Sequence, residues 1–151
     1  MPLRGSKFQT YEGGHRVPCV MRWPGQIPAG VVNKELASTL DFLPTFAKLA
    51  SADLPKGKKI DGYDIWPLMS GQQGAKTPYE NFFFWRNDKV QAVRQGQWKF
   101  RMLTKHSIEL YNLDNDIGEA TNVADKYPEI VKKLKQAIDN HQQELMPIDK
   151  K

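Results

Sequence analysis

Between Phe82 and Leu113 four short runs rich in aromatic and branched residues follow one another with almost nothing between them: Phe82–Trp85, Val90–Arg94, Trp98–Leu103 and Ile108–Leu113. Runs of this length and composition read as β-strands. Their separators, Asn87-Asp88, Gln95-Gly96 and Lys105-His106, are turn-like and too short for a crossover. The only sheet compatible with such connections is an antiparallel meander. Trp98, Phe100 and Met102 alternate with Lys99, Arg101 and Leu103, which gives that strand an apolar face in need of cover. A helix opening at Pro128 supplies it, with Ile130, Val131, Leu134, Ala137, Ile138, His141 and Leu145 at helical spacing. Lys132, Lys133, Lys135, Asp139 and Gln142 occupy its solvated side.

The half before Pro78 is organised differently. An apolar run from Val17 to Trp23 reads as a buried strand, broken by Pro24-Gly25. Cys19, the single cysteine, lies inside that run and reads as a buried small hydrophobe. With one cysteine, neither an internal disulfide nor a cysteine-rich zinc site is available. Ser38 or Thr39 caps a predicted helix that carries Leu40, Leu43, Phe46, Ala47 and Ala50 on one face, with Pro44 near its first turn. Residues 51–62 form a polar connector, and Ile65, Trp66, Leu68 and Met69 a short helical turn ended by Gly71.

A chain of 151 residues is long enough to bury a genuine core, and no window approaches the roughly 20 apolar residues of a membrane span. The start, Met1 to Lys7, is polar and lacks the character of a secretory signal, so any export address lies elsewhere. The net charge of +5 raises the question of nucleic acid. Its lysines are scattered over a loop (Lys56, Lys58, Lys59) and a helix face, which is not the footprint of a nucleic-acid interface. A modest basic excess also suits an anionic small molecule.

The segment Leu3-Arg4-Gly5-Ser6-Lys7-Phe8-Gln9-Thr10-Tyr11-Glu12-Gly13-Gly14-His15-Arg16-Val17-Pro18 resembles a signature of the type I, formylglycine-dependent sulfatases, arylsulfatase-like members of the alkaline phosphatase-like superfamily. Further family-like motifs follow in order: Trp23-Pro24-Gly25, Asp41-Phe42-Leu43-Pro44-Thr45, Asp61-Gly62, Gly96-Gln97-Trp98-Lys99-Phe100, and Glu109-Leu110-Tyr111-Asn112-Leu113 running on to Asp116, Glu119 and Asn122. The resemblance implies a C-terminal sulfatase fragment. Residues 1–77 would end an α/β catalytic domain, and residues 78–151 would form a small antiparallel-sheet subdomain with a terminal helix, making this chain α+β. A parent enzyme of this kind would be exported to a periplasmic, secreted or lysosome-like compartment.

The same resemblance implies a sulfuric ester hydrolase acting on a sulfated small molecule or glycan. Its nucleophile, a formylglycine, and its divalent cation, usually calcium, belong to sequence upstream, so this chain is expected to carry no cofactor and no turnover of its own. Cys19 is followed by Val20-Met21-Arg22 and lacks the modification motif. Lys7 matches the family lysine that contacts sulfate, a role for which an ammonium offers charge and rotatable donors. Glu12, Gly13, Gly14 and Arg16 are read as structural: the glycines permit close backbone approach, and Glu12 and Arg16 can pair to fix the Lys7 loop. His15, Trp85, Arg86 and His106 are candidate substrate contacts at the pocket rim. Two rival readings are a phosphonate or phosphate monoester hydrolase of the same superfamily, and a non-catalytic module that binds glycan or protein.

Overall fold

The computed structural model describes residues 3–104 and 106–145. It divides into two compact units, one made of Met1–Val17 with Glu80–Lys151 and the other of Pro18–Tyr79. The second boundary lies beside the division expected near residue 78. The first 17 residues, however, group with the sheet rather than with the segment that follows them.

In the first unit, β1 (Phe82–Arg86), β2 (Lys89–Gln95), β3 (Trp98–Thr104) and β4 (Ser107–Asn112) form one sheet in the order β1-β2-β3-β4. All neighbours are antiparallel, as two-residue connections require. Lys105, half of the expected last turn, lies outside the described residues. Register places Val93 opposite Phe100 and Phe100 opposite Leu110, so these three side chains share one face. Helix α4 (Pro128–Leu145) covers that face with Leu134 and Ile138, and the fully buried cluster also takes in Val90 and Ala124. His141, expected on this apolar stripe, stacks flat on Phe83 at 3.8 Å between ring centroids.

The chain between β4 and α4 is fixed by side chains acting as backbone surrogates. Asp116 accepts from the N–H groups of Ala120 and Thr121. Asn122 accepts from the N–H groups of Leu110 and Ala124 and donates to the Ile108 carbonyl. One carboxamide thereby satisfies three main-chain groups next to the sheet, which is the physical content of the Asp116…Glu119…Asn122 spacing.

The other face of the sheet is covered too: Lys99 and Arg101, which alternate with the apolar residues of β3, are almost completely buried on it. Residues 3–17 lie across it, with Tyr11 packed on Tyr111 and Leu113. Helix α1 (Glu12–His15) is a single turn within this strap.

The second unit is held by Asp41. Ser38 caps a 3-10 turn at Thr39–Asp41 in a reciprocal capping box, and α2 (Phe42–Leu49) continues from it. The buried Asp41 carboxylate accepts from Ser38 N–H and Tyr63 N–H at 2.7 and 2.9 Å. Thr45 donates to the Asp41 carbonyl and accepts from Ile65 N–H, tying α2 to α3 (Trp66–Met69). The Asp41-Phe42-Leu43-Pro44-Thr45 motif is therefore a structural clasp. The buried strand expected at Val17–Trp23 is not formed: this stretch is irregular, and Val20 is 94% exposed. A strand exists only through its ladder, and no described strand pairs with this one. Cys19 is correspondingly exposed, contrary to the buried position expected for it. Leu40, Leu43 and Phe46 also turn their apolar stripe outward.

Candidate functional site

Lys7 and Phe8 form the corner of a tight turn closed by Gln9 N–H donating to the Ser6 carbonyl at 3.0 Å. Phe8 has φ 72°, left-handed backbone that is costly for a bulky residue and persists only where its surroundings impose it. Those surroundings are close. Gly13 N–H donates to the Arg4 carbonyl at 2.8 Å, bringing the turn against α1. A Cβ on Gly13 would stand 2.6 Å from that carbonyl, and one on Gly14 would overlap the Gln9 carbonyl and lie 2.7 Å from the Ser6 carbonyl. The paired glycines are needed because two backbone segments touch, as the sequence suggests.

Beneath α1 is a buried ion network. The Lys99 ammonium, 0% exposed, lies 2.8 Å from Glu12 and 3.0 Å from Glu119. It also sits over the Phe84 ring, 4.6 Å from its centroid. Glu119 is itself left-handed at φ 52° and accepts from Glu12 N–H at 2.7 Å with Oε2. Its Oε1 faces Lys99 as an ion-pair contact without accepting an aligned hydrogen bond. Burial alone would raise the Glu12 carboxyl, but Lys99, followed by Arg94 and Arg16, holds it below its usual range. Arg16 does approach Glu12, at 3.4 Å, but this pair is half open to solvent. The expected Glu12–Arg16 pair is therefore the outer member of a set whose buried member is Lys99.

A second cluster continues along the strap. Arg101 pairs with Glu109, donates to Thr10, and lies over the Tyr11 ring; Arg4 lies over the same ring, 4.2 Å from its centroid. Tyr11 donates to Glu109, while Arg4 donates to the Tyr111 hydroxyl and the Glu119 carbonyl. Burial, followed by the Glu109 charge, pushes the Tyr111 phenol up to about 12, with Arg4 opposing. Sequence reasoning missed Lys99, Arg101, Glu109 and Glu119. The available signal was a pair of cations alternating with core residues on a central strand, which must bury its second face if anything crosses it.

Above the network a cleft of about 390 Å³ is lined by Phe8, His15, Trp85, Arg86 and Asn87. Three of the four expected rim residues, His15, Trp85 and Arg86, thus meet in one place. His106 does not: it is exposed on the β3–β4 turn, and the cleft is built on the β1–β2 hairpin. Lys7 is exposed beside Phe8, its ammonium 5.1 Å from the ring centroid. His15 packs edge-on against Phe84 at 5.2 Å, and burial followed by the Lys99 charge lowers its pKa despite Glu12, leaving a neutral imidazole at neutral pH. Among the described residues no group of three His, Cys, Asp or Glu side chains comes together that could hold a metal ion.

These shifts fix an expected acid response. The unfolded His15 and Glu12 bind protons more readily than the folded ones, so each removes stability as pH falls. His15 acts first, below its ordinary value of 6.5, and Glu12 next, below its ordinary 4.5. Urea midpoints measured from pH 8 to pH 3 are expected to fall through both ranges; a midpoint that rises on acidification contradicts the network.

An α+β unit of this kind, a four-stranded meander packed under a terminal helix, places the chain with the sulfatases. The chain belongs to the N-sulphoglucosamine sulphohydrolase C-terminal family, matching it over residues 6–144. It is 39% identical to human arylsulfatase A over 89% of this chain and 32% of that protein. It is 30% identical to dog N-acetylgalactosamine-6-sulfatase over 97% of this chain and 34% of that protein. Ps i-CgsB in complex with k-i-k-neocarrahexaose superposes with a TM-score of 0.78 at 29% identity, covering 93% of this chain and 32% of that one. The chain therefore spans about a third of the length of the relatives it matches.

Proposed function

We propose that this chain supplies one wall of a sulfate-ester hydrolase site, in which Lys7 meets the sulfate group and the adjoining cleft receives the organic part of the substrate. The observation that carries this reading is the clamped turn. A lysine at the corner of a strained loop, held by touching glycines above a buried ion network, is presented with little freedom to relax. Preorganised charge of this kind favours oxygens that gain negative charge as the S–O bond breaks. The neutral His15 can both donate to and accept from a hydroxyl, and the faces of Phe8 and Trp85 suit a sugar or aryl ring.

A sulfatase also uses a formylglycine and a divalent cation, which supply the nucleophile and polarise the sulfate; Cys19 lacks the modification motif, and the described residues bring no metal-binding cluster together. Residues 18–79, with their outward apolar stripe, fit the edge of a larger domain that contains that machinery. The 151-residue chain is accordingly expected to show no turnover of an aryl sulfate above buffer, with or without added calcium. Turnover well above buffer that disappears in Lys7→Ala would overturn this division of labour.

A further inference from the structure

The charge around the cleft exceeds what one sulfate requires. Arg86 lines it from the end of β1, and across the hairpin its register partner is Lys89. Like charges directly opposite on an antiparallel pair are destabilising unless something anionic joins them. Among the described residues neither cation forms an ion pair with a carboxylate, and Asp88 of the same turn does not close on either. No carboxylate lines the cleft. A substrate with a single sulfate occupies Lys7 and leaves this hairpin end unanswered.

We propose that the substrate is a saccharide carrying a second anionic substituent, a sulfate or a carboxylate, which Arg86 receives while Phe8 and Trp85 flank the sugar ring. The inference rests on the assignment of Lys7 to the sulfate that is cleaved. Arg86 suits the role because its planar fork offers parallel donors to two oxygens of one anion. Lys7 lies beside Phe8, which lines the cleft together with Arg86, so the two cations meet different substituents of the sugar. Simple aryl sulfates lack the second group and would be poor ligands.

The test is a titration of the isotope-labelled 151-residue chain with a methyl galactoside, its 6-sulfate and its 4,6-disulfate, followed by NMR at the Trp85 indole N–H and the His15 ring. The disulfate is expected to bind about tenfold more tightly than the monosulfate, the worth of one charge-assisted contact. In Arg86→Gln, an exposed site whose change spares the core, that advantage is expected to vanish while monosulfate binding persists. Lys7→Ala is expected to weaken both sulfated ligands alike. Equal affinity for mono- and disulfate, or an Arg86→Gln loss shared equally by both, overturns the second-anion proposal and leaves the sulfate-site reading standing. No shift at these signals with any sulfated sugar, or indifference of both to Lys7→Ala, overturns the two together.

Discussion

Lys99→Met is expected to destabilise the first unit by about 3–5 kcal/mol, because removing one partner of a buried ionic group leaves uncompensated charge behind. Two carboxylates are affected, Glu12 and Glu119, both essentially without solvent. Methionine fills much of the same volume, so a cavity accounts for little of the loss. The remedy for the stranded charge is to remove it. Lys99→Met combined with Glu12→Gln and Glu119→Gln is expected to recover a large part of the deficit, since a buried ionic cluster is worth far less against a neutral replacement than against a broken one. Urea denaturation of the chain, followed by tryptophan fluorescence, measures both variants. Loss of less than about 1 kcal/mol in the single variant, the range of exposed ion pairs, contradicts the burial of Lys99.

Gly14→Ala is the second large effect. Its Cβ meets backbone on two sides, the Gln9 and Ser6 carbonyls, neither of which can swing aside as a flexible side chain would. Overpacking of this kind costs about 1–3 kcal/mol, and here the strain falls on the turn that carries Lys7. The substitution is therefore expected to displace the amide resonances of residues 5–9 in an NMR spectrum while leaving those of β2 and α4 in place. Uniform changes over the whole sheet, or none at the turn, contradict the close approach. Alanine at the exposed Gly25, where a Cβ meets nothing but φ is 80°, separates the cost of left-handed backbone from that of overlap and is expected to leave residues 5–9 in place.

The meander and its helix were legible because both are local. Two-residue turns leave one way to pair the strands, and the 3.6-residue spacing from Ile130 to Leu145 marks the face that covers Phe100 and Leu110. The Val17–Trp23 run was misread because apolarity reports burial in some context, not in this one. That context is a neighbouring strand, which the described residues do not provide. Lys99 and Arg101 look like a solvated face by alternation alone. They are buried because a segment some 90 positions earlier returns across the sheet, a long-range relation that no window of sequence contains. For the site, the family-like motif brought attention to Lys7, Glu12 and the glycines. The variable place of that motif supplied His15, while strand-end and turn position gathered Trp85 and Arg86 but also drew in His106, since both hairpin turns expose polar residues and only strand order separates them.

The most direct test concerns Lys7 in the full-length sulfatase proposed to contain this sequence as its C-terminal portion. With a sulfated sugar as substrate, Lys7→Ala is expected to lower kcat/KM by about 10²–10³, the loss typical of a missing donor to developing negative charge, while the urea midpoint stays unchanged. A kcat/KM within about threefold of the unaltered enzyme, well short of one such contact, would contradict the assignment of Lys7 to the sulfate group.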